Sequence, residues 1–115
     1  MIVDLRQWDV VRVRIRPADQ ELHPAVVFSR TAVCGDVRKQ TINVLYGSTK
    51  RPAGEVGPTD VALNSADGVE RLTLINCDHL YTVRKDTIES RLGNVSYERR
   101  RALCRAVARA FAFVG

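Results

Sequence analysis

Residues 8–16 read Trp8-Asp9-Val10-Val11-Arg12-Val13-Arg14-Ile15-Arg16. From Val11 onward, apolar and basic residues alternate, which is the period of a β-strand with one buried face. This pattern puts the three arginines together on the other face, and Pro17 interrupts it. We therefore predict that the chain begins with a half-buried strand.

Further short apolar runs along the first two-thirds of the chain predict more strands. These runs are Ala25–Phe28, Thr41–Tyr46, Val61–Leu63, Leu72–Cys77 and Leu80–Val83. The last two are either separate strands or one long strand with a kink near Asp78. A turn is predicted at Ala66-Asp67-Gly68, and the stretch from Gly47 to Pro58, rich in glycine and proline, predicts a loop.

The periodicity changes at the C-terminal end of the chain. Apolar residues recur at the spacing of one helix face, at Leu103, Val107, Ala110, Phe111 and Val114. Ser96 is a suitable N-cap, and Gly93-Asn94 before it predicts a break. The fold class predicted is mainly β with a C-terminal α-helix, a small β-barrel capped by the helix, as one domain over residues 1–115.

Charge and size restrict the function classes. The chain has 115 residues, a net charge of +5 and 27% charged residues. A basic balance favours polyanionic partners such as RNA, DNA, an acidic peptide or a membrane surface, although a basic protein can also lack such a partner. Apolar runs are too short to cross a bilayer, so we expect no membrane-spanning segment and no membrane partner.

The cysteines predict free thiols rather than a disulfide or metal framework. Cys34, Cys77 and Cys104 are widely spaced and odd in number, which is typical of a reducing, cytoplasmic location. Cys77 and Cys104 are expected to be buried as small apolar side chains. The two histidines, His23 and His79, form no metal-ligand pattern with them, so we expect no metal or cofactor.

Five segments, taken in order, resemble the MazF/PemK family of toxin ribonucleases. They are Trp8-Asp9-Val10-Val11-Arg12-Val13, His23-Pro24-Ala25-Val26-Val27-Phe28-Ser29, Asn43-Val44-Leu45-Tyr46-Gly47-Ser48, Asn76-Cys77-Asp78-His79 with Tyr81-Thr82-Val83, and Arg91-Leu92-Gly93 with Ser96. The first resembles the family's opening Gly-Asp-Val-Val strand, with Trp8 in place of glycine. The likeness runs from about residue 7 to 113.

The resemblance implies an SH3-like or CcdB-like barrel that forms a homodimer in the cytoplasm. It implies an endoribonuclease that cleaves single-stranded RNA without a metal, through attack of a ribose 2′-hydroxyl on the adjacent phosphate. It also implies a cognate antitoxin with an acidic C-terminal segment as partner.

The resemblance also indicates candidate catalytic residues, with departures from the family. His23 occupies the place of the arginine before proline, and histidine can act as acid or base, although a surface histidine is the competing interpretation. Gly47 falls where the family has its key threonine, so Ser48 or Thr49 could supply the hydroxyl unless both are ordinary turn residues. Asp78 matches the family aspartate, either as a functional carboxylate or as a structural acceptor.

Candidate RNA-binding residues surround these positions. Asn76 replaces a family arginine; the others are Arg12, Arg14, Arg16, Tyr46, Lys50 and Arg51. The basic side chains could hold the RNA backbone, and Tyr46 or Trp8 could stack on unpaired bases. A solvated strand face and buried aromatic side chains are the alternatives.

Three functions remain open from the sequence. The first is an active endoribonuclease of a toxin–antitoxin system. The second is a diverged binding module that keeps the barrel and acts through protein or nucleic-acid contacts. The third is a gyrase inhibitor of the CcdB type on the same barrel, because a fold does not determine a function.

Overall fold

The computed structural model describes residues 4–49 and 56–112, which form a mainly β fold with a C-terminal helix. The strands of this part of the chain are β1 (Asp9–Val13), β2 (His23–Val27), β3 (Thr41–Ser48), β4 (Asp60–Leu63), β5 (Thr73–Arg84) and β6 (Ile88–Asn94). The α-helices are α1 (Thr31–Cys34) and α2 (Tyr97–Ala110). None of the described helices is long and apolar enough to span a membrane.

All strand pairs are antiparallel, and the order across the sheet is β4-β5-β3-β2-β1-β6. β4 and β6 stand at opposite ends of this order, so the sheet is barrel-like without being closed by hydrogen bonds between them. The predicted fold class is confirmed.

The burial of the side chains follows the alternation that opens the sequence, but the strand ends at Val13 and only Arg12 within it is exposed, so it is not the half-buried strand that was predicted. Val11, Val13 and Ile15 are buried, while the arginines between them are exposed. The two faces of the sheet carry separate cores. The first contains Val11, Val13, Ala25, Val27, Ile42, Val44 and Val83. The second lies between the sheet and α2 and contains Val10, Val26, Leu45, Ile75, Cys77, Leu103 and Val107.

A bulge in β5 changes its register against β3. Leu45 faces Leu80, whereas the next residue, Tyr46, faces Asn76, so residues 77–79 protrude from the ladder. Extra residues of this kind bend a strand and redirect its side chains. One long strand with a kink near Asp78 is therefore the correct alternative of the two predicted.

α2 begins after Ser96 as predicted, and its buried residues are Leu103, Ala106 and Val107. Because isolated helices of this length are marginal in water, the helix depends on packing against β4 and β5. Phe111 lies beyond the helix and is 43% exposed, so it does not complete the predicted apolar face. Val114 lies outside the described residues.

Three further sequence expectations were wrong. Gly93-Asn94 is not a break but the end of β6, where it pairs with Val10 and Asp9, and β6 itself was not predicted. Gly47 lies in β3 rather than in a loop. Cys104 is exposed because it falls on the solvent side of α2, whereas Cys77 is buried as expected.

Trp8 adopts a backbone conformation that favours glycine. Its φ is +76°, and its half-buried ring packs edge-on against Phe28 at 5.7 Å between centroids. A left-handed residue other than glycine costs about 1–2 kcal/mol in backbone strain. This conformation explains why a glycine would suit the position, while ring packing offsets the strain here.

A buried carboxylate joins the loop after β4 to the start of α2. Asp67 is fully buried and accepts hydrogen bonds from the Asn64 amide at 3.0 Å and the Ser96 amide at 2.8 Å. Arg99 lies 3.3 Å away through its Nε. Asp67 thereby satisfies a free amide at the helix N-terminus, where a negative charge is favourable.

The same loop touches β6 through two glycines. Gly68 has a φ of +86°, and a Cβ on Gly68 would lie 2.6 Å from Gly93 Cα. A Cβ on Gly93 would lie 2.3 Å from the Asp67 carbonyl oxygen. We call Asp67, Gly68 and Gly93 the closing junction, because they bring the loop after β4 against β6.

We expect Gly93→Ala to lower the free energy of unfolding by about 1–3 kcal/mol, since the methyl group must displace backbone atoms. Chemical denaturation measures the change. Gly35→Ala is the matched control, because its Cβ would meet its nearest neighbour, the Thr31 carbonyl, at an ordinary 3.7 Å. Equal stability of the two variants would contradict the tight junction.

We expect Asp67→Asn to destabilise the protein by about 1–3 kcal/mol at neutral pH. Burial by itself raises the pKa of Asp67, but amide hydrogen bonds from Ser96 and Asn64, the Ser96 hydroxyl and the charge of Arg99 lower it more, leaving it below 3.8. The carboxylate therefore stabilises the fold above that pH, and this contribution is lost as pH falls through the lowered pKa.

Denaturation curves recorded between pH 7 and pH 2 measure how the free energy of unfolding changes with pH. This change should be smaller in Asp67→Asn than in the wild-type protein. Asp86→Asn is the control, because Asp86 forms an exposed ion pair with Arg84 and should leave neutral-pH stability almost unchanged. An Asp67→Asn protein with wild-type stability at pH 7 would contradict the role of the carboxylate.

Candidate active site

The centre of the site lies where β2 and β3 run side by side. Ala25 faces Tyr46 across this pair, so His23 and Ser48, each two residues further out, lie on the same face of the sheet. The His23 Nδ1 is 3.4 Å from the Tyr46 hydroxyl, and the ring centroids are 5.1 Å apart. A histidine imidazole and the hydroxyl-bearing side chains of Tyr46 and Ser48 therefore lie on one sheet face, where β2 begins and β3 ends.

β5 adds two more rings to this face. The Tyr46 ring centroid lies 6.1 Å from that of His79 and 6.1 Å from that of Tyr81. His79 and Tyr81 are 6.4 Å apart. His79 reaches the group because it belongs to the β5 bulge. We call His23, Tyr46, His79 and Tyr81 the ring cluster.

The loop between β1 and β2 places charges at the rim of the ring cluster. The Arg16 guanidinium lies 5.9 Å from the Tyr81 ring centroid, within range of a cation–π contact. An Asp19 oxygen lies 3.7 Å from His23 Nε2. Asp19 also accepts the Arg16 amide, and its carbonyl accepts a bond from Arg14, which holds the loop together.

Several predicted site residues converge here. His23 and Tyr46 belong to the ring cluster, half-buried Ser48 shares their sheet face, and Arg16 lies at the rim. Asp78 is exposed in the bulge beside His79. These residues come from separate strands, and the antiparallel order brings them together.

Other predicted residues lie elsewhere. Arg12 and Thr49 line a groove of about 800 Å³ together with Pro24, Arg71 and Arg91. The three arginines of the opening pattern therefore do not share one strand face: β1 ends at Val13, Arg12 lines this groove, and Arg16 lies over the Tyr81 ring.

Asn76 is only 6% exposed, between Tyr46 of β3 and Asp60 of β4. Its side chain is thus held within the sheet rather than presented at the surface. Lys50 and Arg51 lie outside the described residues.

Gly47 has no room for the threonine of the family pattern. A Cβ there would lie 2.7 Å from the Pro24 carbonyl oxygen and 3.0 Å from an Ile75 methyl carbon. The hydroxyl on the side of His23 is therefore that of Ser48, while Thr49 faces the groove.

The thiol of Cys77, which lies in the β5 bulge, is unsuited to act as a nucleophile. Burial, with smaller contributions from the Asp60 and Asp78 charges, raises the pKa of Cys77 to about 12. Cys77 therefore remains a neutral thiol at physiological pH and is a poor nucleophile. In the described part of the chain, no three or more His, Cys, Asp or Glu side chains form a metal-binding group.

Sequence reasoning did not select His79, Tyr81 or Asp19 as site residues. His79 and Tyr81 stand in a segment that carried the family resemblance, but their proximity to His23 depends on the β5 bulge. One available signal was that the chain has only two histidines. Both occur in segments matched to the family's functional strands.

A protein-family comparison decides the family of this chain. The family model of the PemK-like, MazF-like toxins of type II toxin–antitoxin systems matches residues 6–111. The chain belongs to this family. The sequence-based resemblance is thus confirmed, and no curated protein sequence matches this PemK-like chain significantly.

Solved structures agree with the fold of this PemK-like chain. An endoribonuclease in complex with its cognate antitoxin, from a mycobacterial species, is 21% identical with a TM-score of 0.80, covering 96% of this chain and 98% of its own. Toxin MazF-mt6 of Mycobacterium tuberculosis is 16% identical with a TM-score of 0.75, covering 90% and 96%. A MazE–MazF structure from Deinococcus radiodurans is 14% identical with a TM-score of 0.72, covering 96% and 97%.

We expect Gly47→Thr to lower the free energy of unfolding by about 1–3 kcal/mol, because the side chain would collide with β2 backbone and the second core. Denaturant unfolding measures the loss. Ser48→Thr, at a half-buried position, is the matched control and should lower the free energy of unfolding by less. A stable Gly47→Thr protein would show that β3 can shift to accommodate a hydroxyl at position 47.

Proposed function

We propose that this protein is the toxin of a type II toxin–antitoxin system and a metal-independent endoribonuclease that cleaves single-stranded RNA. The observation that supports this most is the convergence of His23, Tyr46 and Ser48 on one sheet face, with His23 Nδ1 3.4 Å from the Tyr46 hydroxyl. Membership of the MazF-like family is consistent with the same activity.

The reaction requires three chemical contributions. A base takes the 2′-hydroxyl proton, an acid protonates the departing 5′-oxygen, and donors stabilise the charge on phosphorus. His23 supplies an imidazole, a side-chain type that can act either as a proton donor or as a proton acceptor. Ser48 and Tyr46 supply hydroxyl donors, and Arg16 a positive charge at the rim. Asp78 completes the proposed set from the bulge of β5.

RNA binding is proposed to use both electrostatics and stacking. The exposed arginines 12, 14 and 16 attract the phosphate backbone, while the half-buried rings of Tyr46 and Tyr81 offer stacking faces for unpaired bases. Thr49 borders the groove that contains Arg12, which extends the proposed RNA path beyond the ring cluster. Lys50 and Arg51 remain proposed contributors, whereas the burial of Asn76 argues against a direct RNA contact there.

The partners proposed are a second copy of the chain and an antitoxin with an acidic segment. The mycobacterial endoribonuclease above was solved with its cognate antitoxin, and MazE with MazF in Deinococcus radiodurans. The exposed Arg101 and Arg105 of α2 present positive charge that an acidic segment could complement. We propose a cytoplasmic location on the same family grounds.

A diverged binding module is the second candidate function. His23 stands in place of an arginine and therefore cannot bind a phosphate through two parallel hydrogen bonds, as a guanidinium group can. The burial of Asn76 further reduces the contacts available to a substrate. In this alternative the protein binds RNA or a protein through the same surface and does not cut.

Incubation of the purified protein with mixed-sequence RNA in EDTA tests the activity. We expect fragments ending in a 2′,3′-cyclic phosphate and a 5′-hydroxyl, which end-labelling and mass spectrometry identify. His23→Ala should slow cleavage by about 100- to 10,000-fold, since it removes a proton-transfer group. Asp78→Ala should also reduce it.

Tyr97→Phe is the matched control, because Tyr97 is 75% exposed on α2. RNA that is bound but not cut by the wild-type protein would favour the binding module. No cleavage by wild type together with cleavage by His23→Arg would show a decayed active site.

A further inference from the structure

Both histidines of the chain lie against one tyrosine ring. The Tyr46 ring centroid is 5.1 Å from that of His23 and 6.1 Å from that of His79. The chain has no other histidine. We propose that His79 is a second proton-transfer residue, so that the site works with a histidine pair; this rests on the proposed ribonuclease function.

The bulge in β5 is what makes His79 available. Residues 77–79 protrude from the ladder with β3, and within them Cys77 is buried whereas Asp78 and His79 are exposed. The His79 ring lies beside the rings of Tyr46 and Tyr81 and remains exposed. An exposed imidazole held between two rings is accessible to RNA.

The two histidines differ in their surroundings. His23 has Asp19 3.7 Å from Nε2, which forms an ion pair when the imidazole is protonated. His79 contacts the rings of Tyr46 and Tyr81, and within the described residues no ion pair joins it to a carboxylate. Because a nearby carboxylate favours the protonated form of an imidazole, we assign His23 as the acid and His79 as the base.

The two histidines then account for both proton transfers of the reaction. The 2′-oxygen bonds to phosphorus while its proton moves to His79. The bond from phosphorus to the 5′-oxygen breaks, and His23 donates its proton to that oxygen. The products are a 2′,3′-cyclic phosphate and a 5′-hydroxyl end, after which exchange with water restores both imidazoles. The Tyr46 hydroxyl lies beside His23 and can donate to a non-bridging phosphate oxygen.

The pH dependence of RNA cleavage distinguishes this pair from a single histidine. We expect wild-type kcat/KM to fall on both the acidic and the alkaline side of its optimum. His79→Gln keeps a polar side chain but cannot exchange protons, so its kcat should fall about 100- to 10,000-fold, and its rate should no longer fall on the acidic side. The rate of His23→Gln should no longer fall on the alkaline side.

An RNA with sulfur in place of the scissile 5′-oxygen separates acid from base, because a thiolate leaves without protonation. We expect His23→Gln to cleave this RNA at nearly the wild-type rate and His79→Gln to remain slow. Leu80→Gln, a change at the next residue of β5 with 41% exposure, is the control and should match wild type on both RNAs. Thermal unfolding of each variant checks folding.

The outcomes separate this inference from the proposed function. Wild-type protein that cuts no RNA overturns the ribonuclease function. Wild-type protein that cuts while His79→Gln keeps a normal kcat and both pH limbs overturns only the role of His79. Rescue of His79→Gln, but not His23→Gln, by the sulfur RNA overturns the assignment of base and acid.

Discussion

The fully buried carboxylate of Asp67 is the interaction on which the closed shape of this protein depends. The sheet ends at β4 on one side and β6 on the other, with no ladder between them in the described residues. Asp67 holds the loop after β4 against the amide of Ser96, the N-cap of α2, and Gly68 brings the same loop into backbone contact with Gly93 of β6. A side-chain anchor and a glycine contact thus take the place of strand pairing.

This closure has a consequence for the candidate site. With the ends of the sheet held together and α2 packed over β4 and β5, the second core fixes one face of the central strands. The opposite face holds the first core and, at one end of it, the ring cluster. Side chains on neighbouring central strands have little freedom to separate, which suits a site that must position groups before reaction.

The fold was largely predictable, and the failures have physical causes. Alternation in Val11–Arg16 and the apolar period of α2 identify elements through local pattern alone. β6 was not predicted because an edge strand with few buried residues shows little alternation of apolar and polar side chains. Its polar residues and glycine are Glu89, Ser90, Arg91 and Gly93. Cys104 was misplaced because a cysteine on a helix is equally compatible with either face.

For the candidate site, the sequence supplied candidate residue types, and the tertiary structure decided which residues share a surface. Family resemblance indicated His23, Ser48 or Thr49, and Asp78 as candidates from local motifs, and membership of the family is now shown. The contact between His79 and Tyr46 depends on a bulge in β5, and the absence of space at Gly47 depends on the Pro24 carbonyl of the neighbouring strand. Such proximities arise from register between distant segments, which a local sequence pattern does not encode.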